Sequence, residues 1–286
     1  MKRRTFLLSS VASTALACMG GSRRGPASPK PGRTAIEYSF EGHDRRSVLY
    51  IPEGTPPQAP LVIAIHGNNG DPAFMSKANG FDKVCDAEGW IGLYPHCNLP
   101  QDADDAQGDF RFLDKLLRET VDSLDVDRGR IYAVGFSAGG KKCYSLAARC
   151  SDLVSAIAVS GTRIGFQGQE DQFDPNRNKS ERVAVLHIHG RKDFKIPIRG
   201  GKDAKHGMQG IGMREGLELW ARYNGCVSDK GLKRPQGCPS NISANGWKSK
   251  DGIAVTGLSD PTLDHTWAGW ATPVVVDFLK NAPTRS

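Results

Sequence analysis

Acidic residues are absent from the first 36 positions of this 286-residue chain. The same stretch carries seven basic residues, as many as the formal charge of +7 of the whole chain, so residues 34–286 have no net charge. A domain without net charge lacks the electrostatic footprint with which nucleic-acid-binding proteins attract phosphates. We therefore assign the basic excess to an amino-terminal leader and tether, and expect no nucleic-acid partner. The seven residues are Lys2, Arg3, Arg4, Arg23, Arg24, Lys30 and Arg33.

Long hydrophobic runs are absent as well. The apolar stretch between Phe6 and Ala12 is too short to span a bilayer. With its charged start and the small residues that follow, it is typical of an export signal. Arg3-Arg4 resembles the twin-arginine pattern of bacterial export. The start of the chain thus predicts an exported bacterial protein.

The end of this leader, Leu16-Ala17-Cys18, resembles a lipobox, in which the cysteine is lipidated. The alternative is ordinary cleavage near Ala17, with Cys18 incidental. We predict an export signal over 1–18 with lipidation at Cys18, a flexible tether over 19–34 and one folded domain over 35–286. The protein would then be tethered to a membrane through Cys18, or else secreted or periplasmic.

Cysteine or histidine clusters with the spacing of a metal site are absent. Six cysteines follow Cys18, and an even number in an exported chain favours disulfides. Cys226 and Cys238 flank a loop rich in Gly, Pro and Lys and are the favoured bridge. His187 and His189 form an H-x-H pair without acidic or cysteine companions, which favours a core or turn role over metal binding. We predict no cofactor and no metal.

Short apolar runs of β type alternate with longer runs of helical period from residue 35 onwards. Leu61–Ile65 and Val183–Ile188 are nearly continuous apolar runs, as expected of strands buried on both faces. The alternation predicts βαβ units and an α/β fold in three layers, a mostly parallel central sheet with helices on both faces. The predicted strands are Ala35–Phe40, Ser47–Ile51, Leu61–Ile65, Trp90–Tyr94, Arg130–Val134, Val154–Val159, Val183–Ile188 and Ile253–Leu258; the predicted helices are Phe74–Glu88, Phe110–Leu124, Lys141–Arg149, Gly212–Tyr223 and Pro273–Lys280.

The pentapeptide Gly135-Phe136-Ser137-Ala138-Gly139 stands between an apolar strand-like run and a helix-like run that begins at Gly140. A serine hydroxyl is a weak nucleophile unless it is held exposed beside a base. A tight strand-to-helix turn holds it in this way, and only small flanking residues leave room for the strained backbone. This context predicts Ser137 as the nucleophile of an acyl-transfer reaction.

The segment His66-Gly67-Asn68-Asn69-Gly70 follows the predicted strand Leu61–Ile65. Acyl transfer places negative charge on the carbonyl oxygen, and two backbone N–H groups held ready in the site stabilise it. A glycine-containing loop after such a strand supplies one donor, and the residue after the nucleophile supplies the other. We predict the N–H groups of Asn68 and Ala138 as these donors, with Gly67 as the alternative to Asn68. For His66 a structural role is favoured.

Asp193 and His265 are predicted to complete a catalytic triad. Asp193 lies in the loop after the predicted strand Val183–Ile188, where an acid can orient the base. The base must titrate near neutral pH, which selects histidine. The order Ser…Asp…His leaves His206 and His265 as candidates. His265 is favoured because it follows the last predicted strand, whereas His206 lies in a loop rich in Gly and Lys.

Several of these stretches together resemble the secreted polyhydroxybutyrate depolymerase and feruloyl esterase group of α/β-hydrolases. They are GFSAGG at 135–140, HG at 66–67, HGRKDFKIPIRGG at 189–201 and HTW at 265–267, and the similarity runs over roughly residues 45–280. The resemblance implies an α/β-hydrolase catalytic domain and a serine esterase that works through an acyl-enzyme. It also implies the roles given above for Ser137, Asp193, His265, Asn68 and Ala138.

Members of this group hydrolyse esters as different as feruloyl-polysaccharides, acetyl-xylan and short-chain polyhydroxyalkanoates. The resemblance therefore implies a polysaccharide-linked ester or a polyester as substrate. Phe136, Trp267 and Trp270 are the predicted substrate contacts, with simple packing as the alternative for the two tryptophans. Two other functions stay open: a peptidase of the same fold, and a catalytically inactive surface lipoprotein that binds a ligand in the retained cleft.

Overall fold

The computed structural model describes residues 31–68, 70–97, 106–165, 181–202 and 209–285. The predicted export signal, the predicted lipidation site Cys18 and the alternative base His206 lie outside these ranges, so what is inferred of them stays a prediction. In chain order the elements are β1 (Gly32–Phe40), β2 (His43–Ile51), β3 (Ala59–Ile65), a π-helical turn (Phe74–Ala78), α1 (Phe81–Glu88), β4 (Ile91–Pro95), α2 (Ala106–Ser123), β5 (Val126–Phe136), α3 (Ala138–Arg149), β6 (Ala156–Ser160), β7 (Ala184–Gly190), β8 (Gly201–Lys202), β9 (Gln209–Gly210), α4 (Met213–Tyr223), β10 (Val227–Ser228), β11 (Ser243–Lys248), β12 (Ala254–Asp260) and α5 (Ala271–Lys280).

In the described part of the chain, ten strands form the central sheet, in the order β1-β2-β4-β3-β5-β6-β7-β12-β11-β10. The six strands from β4 to β12 in this order run parallel, and the strands at the two ends pair antiparallel. Every residue of β3, β4, β6 and β7 is buried, so both faces of the parallel part are covered.

Alternate residues of β3 belong to two separate hydrophobic clusters. Leu61 and Ile63 pack with α2, α3 and α4 on one face, whereas Val62 and Ala64 pack with α1 and α5 on the other. This division follows from the period of two along a strand. The predicted three-layer α/β fold with a mostly parallel sheet is thereby confirmed. Among the described residues, no helix has both the length and the apolar character needed to cross a membrane.

Several elements differ from the sequence prediction in their bounds, and some strands are not predicted at all. The predicted helix Phe74–Glu88 is interrupted at Gly80, whose φ of 74° does not fit a right-handed helix. Strand β1 begins at Gly32, three residues before the predicted strand Ala35–Phe40. The sequence does not predict strand β11, because Trp247 is its only large apolar residue and one such residue gives no alternating pattern.

The favoured disulfide between Cys226 and Cys238 is wrong, because both thiols are free. Each thiol has a backbone acceptor of its own: Cys226 Sγ lies 3.5 Å from the Ile253 carbonyl and Cys238 Sγ lies 3.9 Å from the Pro239 carbonyl. Burial raises the pKa of the Cys226 thiol to about 11, so this thiol stays protonated at neutral pH.

Candidate active site

Ser137 occupies the turn between β5 and α3. Its φ of 54° and ψ of −120° lie outside the regions that L-residues normally adopt, and such a conformation costs about 1–3 kcal/mol. A hydrogen bond of 2.9 Å from the Ser137 N–H to the Ser160 carbonyl helps to hold the turn. A Cβ on Gly139 would collide with the Ile65 carbonyl, so α3 can approach β3 this closely only with glycine at this position.

His265, in the loop between β12 and α5, links Ser137 to Asp193. Its Nε2 lies 2.9 Å from Ser137 Oγ, and its Nδ1 lies 2.7 Å from Asp193 Oδ2. Because a carboxylate oxygen only accepts hydrogen bonds, Nδ1 carries the ring proton and donates a hydrogen bond to Asp193. Nε2 is then left to accept the hydrogen bond of the Ser137 hydroxyl. The three predicted triad residues are thus brought together in one hydrogen-bonded chain.

The carboxylate of Asp193 is buried, with 3% of the residue exposed. Its Oδ1 accepts hydrogen bonds from the N–H groups of Lys195, at 3.0 Å, and Ile196, at 2.8 Å. Burial alone would raise the pKa of Asp193, but hydrogen bonds from His189, His265 and the Ile196 N–H hold it well below its usual range. Asp193 is therefore a fixed negative charge beside the imidazole of His265 at neutral pH.

The loops that carry Asp193 and His265 are joined by their backbones. The Arg191 N–H donates to the Asp260 carbonyl at 2.8 Å, and the Lys192 N–H donates to the Leu263 carbonyl at 3.0 Å. A Cβ on Gly190 would collide with the Leu263 carbonyl. Glycine at the end of β7 therefore permits the contact that sets the distance between acid and base.

His187 and His189 lie on the same face of β7, as residues two apart on a strand must. Their rings stack, with centroids 5.3 Å apart, and His187 Nε2 is 3.1 Å from His189 Nδ1. Tyr144 Oη is 2.9 Å from His187 Nδ1, and His189 Nε2 is 2.8 Å from the Ile196 carbonyl oxygen. The two imidazoles therefore form one chain that connects α3 to the loop of Asp193. The described residues contain no group of three potential metal ligands.

The loop after β3 lies against the nucleophile. A Cβ placed on Gly67 would be 3.2 Å from Ser137 Cβ. The Gly67 carbonyl accepts hydrogen bonds from the Gly70 N–H at 3.2 Å and from His66 Nδ1 at 2.7 Å. In a trans peptide the N–H points opposite to the C=O, so the Asn68 N–H faces away from these two donors. Burial lowers the pKa of His66, which acts here as a neutral structural side chain.

An aromatic wall lies beside the base. The ring of Phe136, a predicted substrate contact, is 5.0 Å from the imidazole of His265. Phe74, which heads the π-helical turn, packs on Phe136 at 5.6 Å. The sequence prediction does not include Phe74 in the site, because a continuous helix over Phe74–Glu88 gives no reason to turn this residue towards the triad.

The two predicted tryptophan contacts differ in their surroundings. Trp267 Nε1 donates to Thr272 Oγ1 at 3.0 Å, and the indole borders a groove between α1 and α5. Trp270 Nε1 donates to the buried Asp260 carboxylate at 3.1 Å, which ties the start of α5 to the end of β12. Trp270 thus has an evident packing role, whereas Trp267 borders open space.

Comparisons with known proteins agree with this architecture. A family model described as Phospholipase/Carboxylesterase matches residues 90–217. The acetyl xylan esterase from Aspergillus awamori superposes with a TM-score of 0.63 at 14% identity, covering 82% of this chain and 94% of that chain. The structural likeness shows that the two proteins share a fold.

Two relatives are similar in sequence. The chain is 26% identical over 166 residues to a bifunctional acetylxylan esterase/xylanase of Neocallimastix patriciarum. The matched region covers 56% of this chain and 23% of that relative. The chain is 30% identical over 171 residues to feruloyl esterase C of Emericella nidulans. This second matched region covers 55% of this chain and 58% of that relative. The matched region is thus less than two thirds of either relative.

Proposed function

We propose that the chain is an esterase related to the feruloyl esterases, which hydrolyses carboxylic esters with Ser137, His265 and Asp193 as its catalytic triad. The observation that carries the proposal is the chain of hydrogen bonds from Asp193 Oδ2 through the His265 imidazole to Ser137 Oγ. A nucleophile within hydrogen-bond reach of a base, which is itself oriented by an acid, is the arrangement that acyl transfer requires.

In the first half of the reaction, Ser137 Oγ attacks the ester carbonyl while its proton passes to His265 Nε2. The new imidazolium is stabilised by the Asp193 carboxylate at 2.7 Å. Collapse of the tetrahedral intermediate breaks the bond to the alcohol, which leaves with the proton from Nε2. The acyl group remains on Ser137.

In the second half, a water molecule takes the place of the alcohol. His265 Nε2 removes a proton from the water as it attacks the acyl-enzyme carbonyl. The intermediate collapses, Ser137 Oγ recovers the proton, and the free acid leaves. Asp193 keeps its negative charge throughout, in line with a pKa well below the usual range.

The oxyanion donors of the proposal are the N–H groups of Ala138 and Asn68. Ala138 is the first residue of α3, and the first N–H groups of a helix have no acceptor within it and lie at the positive end of its dipole. The Asn68 N–H follows Gly67, which lies against Ser137, and is turned away from the donors that hold the Gly67 carbonyl. Loss of one such donor typically costs about 100–1,000-fold in kcat.

The proposed substrate is a feruloyl or acetyl ester of a polysaccharide, supported by the names of the two relatives. Short-chain polyhydroxyalkanoates are the alternative that the sequence motifs leave open. The test is kcat/KM for feruloyl, acetyl and 3-hydroxybutyryl esters of one common alcohol. We expect the feruloyl or the acetyl ester to exceed the 3-hydroxybutyryl ester by about tenfold or more, the discrimination available from acyl-pocket fit. A preference for the 3-hydroxybutyryl ester would contradict the polysaccharide assignment.

A further inference from the structure

A groove of about 1000 Å³ lies between α1 and α5. Its lining includes Trp267 and Gly269, from the loop that carries His265, and Asn79, which follows the π-helical turn. Phe74, at the start of that turn, packs on Phe136, which contacts His265. The groove is therefore lined by parts of the same two segments that reach the triad.

The lining of the groove combines apolar and hydrogen-bonding groups. Val84 and Val276 contribute apolar surface from the two helices, and Lys83, Gln236 and Asp277 contribute polar groups. A sugar ring has apolar C–H faces and a rim of hydroxyl groups, so it matches such a mixed lining. The volume is at the upper end of the range for small-ligand sites, about 300–1,000 Å³. An acetyl or feruloyl group alone would leave much of it empty.

Trp267 lines the groove in a fixed orientation. Its Nε1–H donates to Thr272 Oγ1 at 3.0 Å, and the Thr272 hydroxyl donates to the Asn79 carbonyl at 2.8 Å. The ring of Phe81 meets the indole edge to face, with centroids 6.1 Å apart. An aromatic ring held in this way offers a flat apolar surface at little entropic cost, which suits stacking on a sugar ring.

We propose that the groove between α1 and α5 binds the saccharide chain that carries the ester, with Trp267 under the sugar nearest the triad. The proposal rests on the proposed function and adds to it the path of the polymer on the enzyme. The acyl group then occupies the space at Ser137, and the sugars extend from Trp267 along the two helices.

Gly269→Leu tests the groove because it fills it without disturbing the core. A Cβ on Gly269 meets no heavy atom within 4 Å, so a side chain can be added there. We expect kcat/KM for acetylated xylotetraose to fall about tenfold relative to kcat/KM for p-nitrophenyl acetate, a loss typical of a blocked sugar contact. Trp267→Leu should lower the same ratio by removing the stacking surface.

Gly231→Leu is the matched control, since Gly231 is exposed between β10 and β11 and a Cβ there meets only Asp229 Oδ1, at 3.5 Å. This variant should keep the wild-type ratio. A Gly269→Leu enzyme with an unchanged ratio would overturn the groove assignment, whether both activities fall together or neither falls. Failure of the proposed function is recognised separately, because wild type would then hydrolyse neither ester.

A second inference comes from the imidazole chain of β7. The acceptor at the end of this chain fixes which ring nitrogens carry protons. Because the Ile196 carbonyl can only accept a hydrogen bond, His189 Nε2 donates to it. With both rings neutral, His189 Nδ1 accepts from His187 Nε2, and His187 Nδ1 accepts from the Tyr144 hydroxyl. Burial holds the pKa of His187 well below its usual range and keeps that ring neutral.

Ile196 connects this chain to the triad. Its carbonyl is held by His189, and its N–H donates to Asp193 Oδ1 at 2.8 Å. His189 Nε2 also lies 3.5 Å from Asp193 Oδ2, the oxygen that contacts His265. We infer that Tyr144, His187 and His189 are positioning residues, which fix the Asp193 carboxylate through the backbone of Ile196.

The test compares His189→Leu, which removes the donor, with His189→Gln, whose amide can replace it. We expect His189→Leu to lower kcat by about 10–100-fold with little change in KM, the cost of a misplaced catalytic group. The acidic limb of its pH–rate profile should move to lower pH, because the His265 imidazolium loses part of its stabilisation by Asp193. The Gln variant should recover most of kcat.

Thr120→Val is the control for stability alone, because it removes a buried hydrogen bond of 2.7 Å to the Leu116 carbonyl in α2, away from the triad. It should lower the melting temperature without moving the pH–rate profile. If His189→Leu behaves like this control, the positioning role is wrong. Tyr144→Phe gives an independent readout, since it removes the first donor of the chain and should lower kcat in the same direction.

Discussion

Replacing Ser137 by alanine should lower kcat/KM for p-nitrophenyl acetate by about 10⁵-fold or more, the scale seen when the nucleophile of a serine hydrolase triad is removed. Without Oγ no acyl-enzyme can form, and the base at 2.9 Å has no hydroxyl to deprotonate. The residual rate would come from water attacking an ester held in the oxyanion site. The fold should persist, because the Ser137 side chain contributes only its bond to His265.

Ser160→Ala provides a matched control for this experiment. Ser160 ends β6, and its backbone carbonyl accepts the Ser137 N–H, whereas its buried hydroxyl has no hydrogen-bond partner among the described residues. Its loss should leave most of the activity. A fluorophosphonate probe gives a second measurement: it should label wild type and Ser160→Ala but not Ser137→Ala. Labelling that survives in Ser137→Ala would show that another residue is the nucleophile.

His265→Ala is expected to have an effect of similar size, about 10⁴-fold or more, whereas His206→Ala should keep most of the activity. His265 is the only contact described between the serine and the acid, since its two ring nitrogens face Ser137 Oγ and Asp193 Oδ2. Turnover of p-nitrophenyl acetate by the two purified variants decides between them. Activity that is lost in His206→Ala and kept in His265→Ala would reverse the assignment of the base.

The pH dependence of wild type gives the same assignment a second test. Only a neutral imidazole can accept the Ser137 proton, so the rate should fall in acid as the base is protonated. Asp193 should add nothing to this fall near neutral pH, because its pKa is held well below the usual range and it is protonated only in strong acid. The acidic limb should therefore have the slope of one proton. A slope of two protons near neutral pH would mean that Asp193 titrates there as well.

The sequence sufficed for the parts of the site that depend on local pattern. The strand-turn-helix context of Ser137 and the buried strands before Asp193 and His265 are visible as runs of apolar residues between turn residues. Because parallel strands end at one edge of the sheet, residues that follow them come close in space. This rule explains why the sequence predicts that the side chains of Ser137, Asp193 and His265 lie close together at one edge of the sheet.

Other features depend on contacts between segments that are distant in sequence, and the local pattern of apolar and turn residues does not reveal such contacts. The H-x-H spacing places His187 and His189 on one face of β7, but only the packing of α3 shows that Tyr144 meets them. Gly190 is visible as a glycine after a strand, whereas the Leu263 carbonyl that requires it comes from another loop. Cys226 and Cys238 look like a bridge in sequence, whereas in the structure each thiol contacts a different backbone carbonyl.

The backbone hydrogen bonds between the loops after β7 and β12 have a consequence for engineering. Main-chain groups make these bonds, so the exposed side chain of Lys192 can be varied while acid and base keep their distance. Gly190 is the exception, because any larger residue would push the two loops apart. A saturation library at Lys192, with Gly190 left intact, would therefore alter the surface of this loop while leaving the chemistry of the enzyme in place.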